Sequence, residues 1–299
     1  LIIDELLTEF IAAEKLPNSY ADTVREWYGP LCKRIANKVQ MHRDGAKGLY
    51  ILGVNGAQGS GKSTLSSLLV KVLNEVYALN SVCMSLDDFY YTKDERQNLA
   101  ESIHPLFATR GVPGTHDIHF LSQVLDTLNK AETCIIPRFD KAVDDRARID
   151  KWEKIDAKMD VVILEGWCVG APAQAQSELI TPVNAFEKDY DSDGVWRTYA
   201  NQKLATEYQD IFAKLHAIVM LKAPSFEQIY AWRCEQEHKL RDKQTESGNV
   251  NVGMSDEDIL HFIQHYERIT QHSLQYLPER CDEVFSLDNN RKVSACKSR

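Results

Sequence analysis

No stretch of this chain approaches the roughly 20 consecutive apolar residues that a membrane-spanning helix needs. The best runs, such as residues 49–54 and 161–164, have only strand length. Basic residues are in the minority, 35 Lys and Arg against 44 Asp and Glu, for a net charge of -9. That balance repels phosphate backbones and anionic lipid, so neither nucleic acid nor a membrane surface is expected as a main partner. Nine prolines and 14 glycines are too few for a linker-rich or fibrous chain. The seven cysteines form no CxxC pair, and their odd number and wide scatter give no spacing for a structural zinc site. Reduced thiols in a cytoplasmic protein are the expectation. The first fourteen residues hold four acids and no base, the opposite of a signal or transit peptide. No internal repeat or low-complexity tract occurs, and nothing in the sequence signals an oligomeric state.

What is present is the composition of a folded enzyme: 299 residues, 43% apolar and 26% charged, enough to bury a sizeable core. Residues 1–47 read as a helical N-terminal extension, with breaks expected at Pro17 and Pro30. From residue 48 to 299 short apolar runs alternate with helical stretches. Strands are expected at 48–54, 81–86, 134–136, 161–164, 217–221 and 283–287. Helices are expected at 118–129, 199–215, 225–242 and 255–276. Such alternation specifies an α/β fold, a mostly parallel sheet with helices on both faces. Residues 171–194 fit neither period and read as an insertion placed over the site.

The decisive string is Gly56-Ala57-Gln58-Gly59-Ser60-Gly61-Lys62-Ser63-Thr64, which satisfies GxxxxGK[ST] between a buried-type strand and an amphipathic helix. Glycines let successive backbone N–H groups curl around a phosphate, and the helix adds its free N–H groups and dipole to the same anion. Lys62 is suited to the β- and γ-phosphates of ATP, and the Ser63 hydroxyl to a bound Mg²⁺. The expected class is therefore the P-loop NTPase fold, with ATP and Mg²⁺ as cofactors and a small molecule as the other partner.

A guanine-reading N-K-x-D is missing; the nearest string, Asn129-Lys130-Ala131-Glu132, ends in Glu and precedes a strand. No D-x-x-G lies between the P-loop and that point. Two acids argue instead for a kinase. Asp87, in Leu86-Asp87-Asp88-Phe89-Tyr90, follows the second strand and emerges at the sheet edge that carries the P-loop. A carboxylate there can take the proton of an attacking hydroxyl. Glu165, at the end of an apolar strand, can hold a metal-bound water beside Ser63, and the following Gly166 is expected to leave room for phosphates. Either acid also fits a plain turn or strand terminus.

These strings, with Arg110-Gly111, Gly114-Thr115-His116-Asp117, Pro137-Arg138-Phe139-Asp140-Lys141, Glu165-Gly166-Trp167, Tyr230-Ala231-Trp232-Arg233 and Gly253-Met254-Ser255-Asp256-Glu257, fall in order between about 50 and 260. Together they resemble the plant-type D-glycerate 3-kinases and their bacterial and fungal relatives, within the phosphoribulokinase, uridine kinase and pantothenate kinase group. The resemblance implies Asp87 as catalytic base and Glu165 as the metal-associated acid. It also implies that Arg233 opens a lid near 233–254 that carries Lys239 and Arg241. This lid holds less arginine than those of uridine kinases. Asp88, Tyr90, Arg110, His116, Asp117, Arg138 and Asp140 are the expected acceptor-pocket residues. Arg110 and Arg138 are favoured for a carboxylate, because a guanidinium can grip both oxygens. The expected reaction is transfer of the γ-phosphoryl of ATP to a hydroxyl of a small metabolite, D-glycerate first. Open alternatives are another acceptor, pantothenate-like or nucleoside-like, and a nucleotide-binding regulator without turnover.

Overall fold

The computed structural model describes residues 2–45, 48–246 and 254–299 and opens with helices α1 (Ile2–Ala13) and α2 (Tyr20–Thr23). Pro17 falls in the break between them, but Pro30 breaks nothing. Helix α2 runs through a single π turn, Val24–Tyr28, directly into α3 (Gly29–Asp44). A proline cannot donate to the carbonyl four residues back, so an uninterrupted α-helix would leave the Glu26 carbonyl unpaired. The wider turn, closed by the Gly29 N–H on the Val24 carbonyl, absorbs that defect.

Strand β1 (Tyr50–Gly56) is buried along its whole length and leads through the glycine-rich turn into α4 (Lys62–Glu75). Next come β2 (Ser81–Ser85), α5 (Lys93–Ser102) and α6 (Ile118–Asn129). Four short strands follow: β3 (Cys134–Ile136), β4 (Phe139–Asp140), β5 (Asp145–Arg146) and β6 (Glu153–Ile155). The chain continues with β7 (Val161–Gly166), α7 (Ala185–Tyr190), α8 (Val195–Ala205), α9 (Glu207–Phe212) and β8 (Ala217–Lys222). It ends with α10 (Phe226–Glu246), α11 (Asp256–Tyr276), β9 (Glu283–Leu287) and β10 (Val293–Ser298).

The main sheet has the order β10-β9-β8-β1-β7-β2, parallel throughout except for the antiparallel edge strand β10. Period-2 alternation buries both faces. Leu52, Val54, Val161 and Ile163 join the core beneath α3 and α4, while Ile51, Val162 and Leu164 join the opposite core with α6 and α9. The N-terminal helices have no separate core: Leu6, Phe10, Tyr28 and Leu31 pack into the first of these with Val54 and Phe285. Arg34 of α3 clamps the buried Glu283 of β9 with two bonds of 2.5 and 2.6 Å.

Two expectations need correction, and one strand was not expected. Residues 134–136 form a strand, but it pairs antiparallel with β6 outside the main sheet. The helix expected over 199–215 is two, because Thr206 leaves helical geometry at φ -114° and ψ -99°. Edge strand β10 carries no sequence signal, since its side chains are mostly exposed and obey no apolar alternation. Of the expected lid, residues 247–253, including Gly253, lie outside the described residues. The part from Arg233 to Glu246 continues α10.

Candidate active site

Strand register brings the chemistry together. Glu165 lies level with Val54 on β1 and Ser85 on β2, so the P-loop, Glu165 and Asp87 all leave the sheet at one carboxyl edge. Asn55 secures this edge by donating to the carbonyls of Trp167 and Val169, at 3.1 and 2.8 Å. Gly61 caps α4 at φ +89°, and a Cβ there would meet nothing within 4 Å, so backbone conformation and not space requires the glycine. Gly166 differs. A Cβ would press on Leu86 at 2.9 Å and Val169 at 3.0 Å, so its role is tight packing beneath the site and not room for phosphates.

The P-loop residues Gly56 to Thr64 form the expected turn and first helical turn. Ser63 Oγ donates to Glu165 Oε1 at 3.2 Å, and Lys62 Nζ stands 3.9 Å from Glu165 Oε2. Among the described residues, Glu165 Oε2, Ser60 Oγ and Gln58 Oε1 are buried with no hydrogen-bond partner. Buried orphans of this kind are uncommon in a finished fold. A hydroxyl and a carboxylate side by side, each with unused lone pairs, form the oxygen donor set that Mg²⁺ prefers. The residues therefore fit the triphosphate and the divalent cation that the loop implies.

Asp87, in the short turn after β2, faces a cavity that the P-loop also lines. Its Oδ2 accepts from Lys141 Nζ at 2.7 Å and its Oδ1 from the Tyr90 hydroxyl at 3.2 Å. Burial pushes this carboxyl up, but the Lys141 and Lys62 ammonium groups outweigh that and bring it down to about 2. The neighbouring Asp88 turns away. It accepts from Arg138 and from the Phe139 N–H, both at 3.0 Å, and so anchors the β4–β5 hairpin.

The cavity on the Asp87 side measures about 410 Å³. Its walls include Asp87, Tyr90, Arg110 and Arg233, all expected, together with Lys141, Trp167, Phe262 and Tyr266, which were not singled out. Lys141 closes the Pro137-Arg138-Phe139-Asp140-Lys141 string, a usable signal. Tyr266 lies on the apolar side of α11, where it is indistinguishable from core. Arg110 is steered by Asp144 and lies over the Phe139 ring at 5.4 Å. Arg233 is paired with Glu237 at 2.7 Å.

Five expected acceptor residues do not line this cavity. Asp88 and Arg138 bond each other, and Arg138 also binds Glu153. Asp117 caps α6 and pairs with Arg146 at 3.1 Å. Asp140 accepts from the Ala142 N–H within its own turn. His116 is buried, stacked on Tyr90 with ring centroids 4.2 Å apart, and its Nδ1 is 2.7 Å from the Tyr208 hydroxyl. Burial pushes its imidazole down to about 3, against a smaller upward pull from Asp87. Nor does the 171–194 segment reach this cavity. It is tied to α8 and α11 through Asp191–Arg197 and Glu187–Arg268 pairs.

Residues 51–171 match the phosphoribulokinase / uridine kinase family. An uncharacterized kinase of Schizosaccharomyces pombe is 37% identical over 73% of this chain and 78% of its own length. The chloroplastic D-glycerate 3-kinase of Arabidopsis thaliana is 26% identical over 72% of this chain and 46% of its own. Among solved structures, the D-glycerate 3-kinase of Cryptococcus neoformans superposes with a TM-score of 0.70 at 24% identity, covering 90% of this chain and 99% of that one. Among the described residues, no helix is long and apolar enough to cross a membrane.

Proposed function

Because the chain belongs to the phosphoribulokinase / uridine kinase family of P-loop kinases, we propose that it transfers the γ-phosphoryl of ATP to a hydroxyl of a small anionic metabolite, D-glycerate being the favoured acceptor. The observation that carries the acceptor class is the charge of the cavity beyond the P-loop. In a protein of net charge -9, four cationic side chains (Lys62, Arg110, Lys141 and Arg233) line it against a single carboxylate, Asp87. Lys62 and Arg233 suit the phosphates and Lys141 already holds Asp87, which leaves Arg110, steered by Asp144, to receive a carboxylate-bearing acceptor; a neutral nucleoside gains nothing from it. The D-glycerate 3-kinase of Arabidopsis thaliana, 26% identical, supports the same acceptor.

In this reading the acceptor hydroxyl docks on a free lone pair of Asp87, whose two oxygens are already steered by Lys141 and Tyr90. The new bond forms between the acceptor oxygen and the γ-phosphorus as the bond from that phosphorus to the β-bridging oxygen breaks. The hydroxyl proton passes to Asp87. Lys62 would neutralise charge on the phosphates, and Arg233 of α10, which lines the same cavity, would add to it. Ser63 and Glu165 would hold Mg²⁺, which would supply further neutralisation of the phosphate charge. Release of ADP across a panel of acceptors (D-glycerate, other hydroxy acids, pantothenate, uridine), with and without Mg²⁺, tests the proposal. D-Glycerate should give the highest kcat/KM. Faster phosphorylation of uridine than of any acid would refute the acceptor assignment and leave the kinase intact.

A further inference from the structure

A second cavity, of about 630 Å³, opens on the other side of the P-loop, within the roughly 300–1,000 Å³ usual for small-molecule sites. Gly59, Gly61 and Thr64 belong to both cavities, so the phosphate-binding turn is the partition between them. One wall of the second cavity comes from the helical extension, which the family match at residues 51–171 leaves out. The other comes from the turn between β9 and β10 and from α10.

From these walls we infer that the helical extension completes the binding site for the adenosine end of ATP, with Trp27 stacking on the base. The inference rests on the ATP-dependent reading above and adds to it the location and the walls of the nucleoside site. Charge decides which end of the nucleotide goes where. The Asp87 side is strongly cationic, whereas here Asp22, Glu26 and Glu235 balance Lys239, Arg291 and Lys292. A wall of mixed sign suits a neutral nucleoside better than a second anion. With its γ-phosphate beside Asp87, a triphosphate bound along the turn has its nucleoside end on this side.

Two backbone features shape the walls. The π turn Val24–Tyr28 carries Trp27, half-buried and packed on the core beneath the cavity. Pi turns recur at functional sites. Opposite it, Arg291 is held at φ +65°, a left-handed conformation that a non-glycine residue adopts at a cost. Its guanidinium is fixed over the Trp232 ring at 5.3 Å, by Gly59 O at 3.0 Å and by Glu235 at 2.7 Å. A guanidinium fixed by these partners offers a planar cation on which a purine can stack.

The test titrates the full chain with Mg-ATP and, separately, with Mg-tripolyphosphate, which has the phosphates and no base. Trp27→Ala should weaken Mg-ATP binding roughly ten- to a hundredfold, the loss of one aromatic stack, and leave Mg-tripolyphosphate unchanged. Trp27→Phe should recover most of the loss. Equal loss of both ligands, or loss of neither, overturns the inference. Lys62→Ala, by contrast, should weaken both ligands together. Unaltered protein that binds neither ligand defeats the ATP reading itself. A second measurement needs no variant: photolabelling by 8-azido-ATP should fall on the peptide holding Trp27. Label confined to other peptides overturns the assignment even if Trp27→Ala fails to fold.

Discussion

Asp87→Asn keeps the shape of the proposed base and removes its charge, and the structure sets the size of two separate effects. Burial alone would push the Asp87 carboxyl up, but Lys141 and Lys62 bring it from 3.8 down to about 2. At about 1.4 kcal/mol per pH unit, the ionised form is then worth on the order of 2 kcal/mol to the fold. Asparagine mimics the protonated acid, so the variant should be less stable than the parent by on the order of 2 kcal/mol at pH 7. The sign of the pH dependence follows from the downward shift. The contribution is present above the unfolded value near 3.8 and is lost as pH falls through about 2, so the two proteins should converge between those limits. Urea melts at pH 7 and pH 3 measure this difference. Turnover is the second effect: loss of the base should lower kcat roughly 10²- to 10⁴-fold while Mg-ATP binding survives. Asp87 stays ionised above pH 4, so it contributes no acid limb to kcat/KM between pH 5 and 8. Asp88→Asn is the control. Burial pushes the Asp88 carboxyl up, so its neutral isostere costs the fold little from this source, and its side chain serves the hairpin. Near-full turnover by Asp87→Asn together with inactivity of Asp88→Asn would refute the assignment.

Mg-ATP at about 100 times its dissociation constant should stabilise the chain by roughly 2.7 kcal/mol, and Lys62→Ala should remove most of that gain, as read by thermal melts. Arg110→Met should raise the acceptor KM and leave the ATP KM nearly alone, because Arg110 lines the cavity proposed for the acceptor. Arg138→Met should leave both KM values unchanged and cost about 1–3 kcal/mol of stability, since it removes the cation from the partly buried Asp88 and leaves that carboxylate only the Phe139 N–H. His116 should show no NMR titration between pH 5 and 8, because burial pushes it down to about 3 against a smaller pull from Asp87. The unfolded chain takes up that proton near 6.5, so this histidine should cost stability progressively as pH falls below 6.5.

The P-loop, Asp87 and Glu165 were legible from residue order alone. A glycine-rich turn between a buried strand and a helix is a local object, and an acid at the end of a parallel strand must emerge at the sheet edge that carries that turn. Both-face burial of β1 and β7 followed from continuous apolar runs for the same reason. The distribution of charge around the site was not legible. Arg96, Arg110 and Asp144 meet across up to 48 residues of chain, and Arg138 and Asp88 across 50. No local pattern states which of several arginines has already found its carboxylate. Lys141 and Asp87, 54 residues apart, become partners only when the β4–β5 hairpin is anchored over β2 by Asp88. Sequence order therefore determined the nucleotide turn, the sheet and the two acids, which depend on neighbouring residues. Tertiary structure decided which cations line the cavity beside Asp87, that Pro30 is absorbed in a π turn, and that the N-terminal helices reach the far side of the P-loop. Those outcomes depend on contacts between distant segments, and the strength of an ion pair depends on a separation that only the folded chain defines.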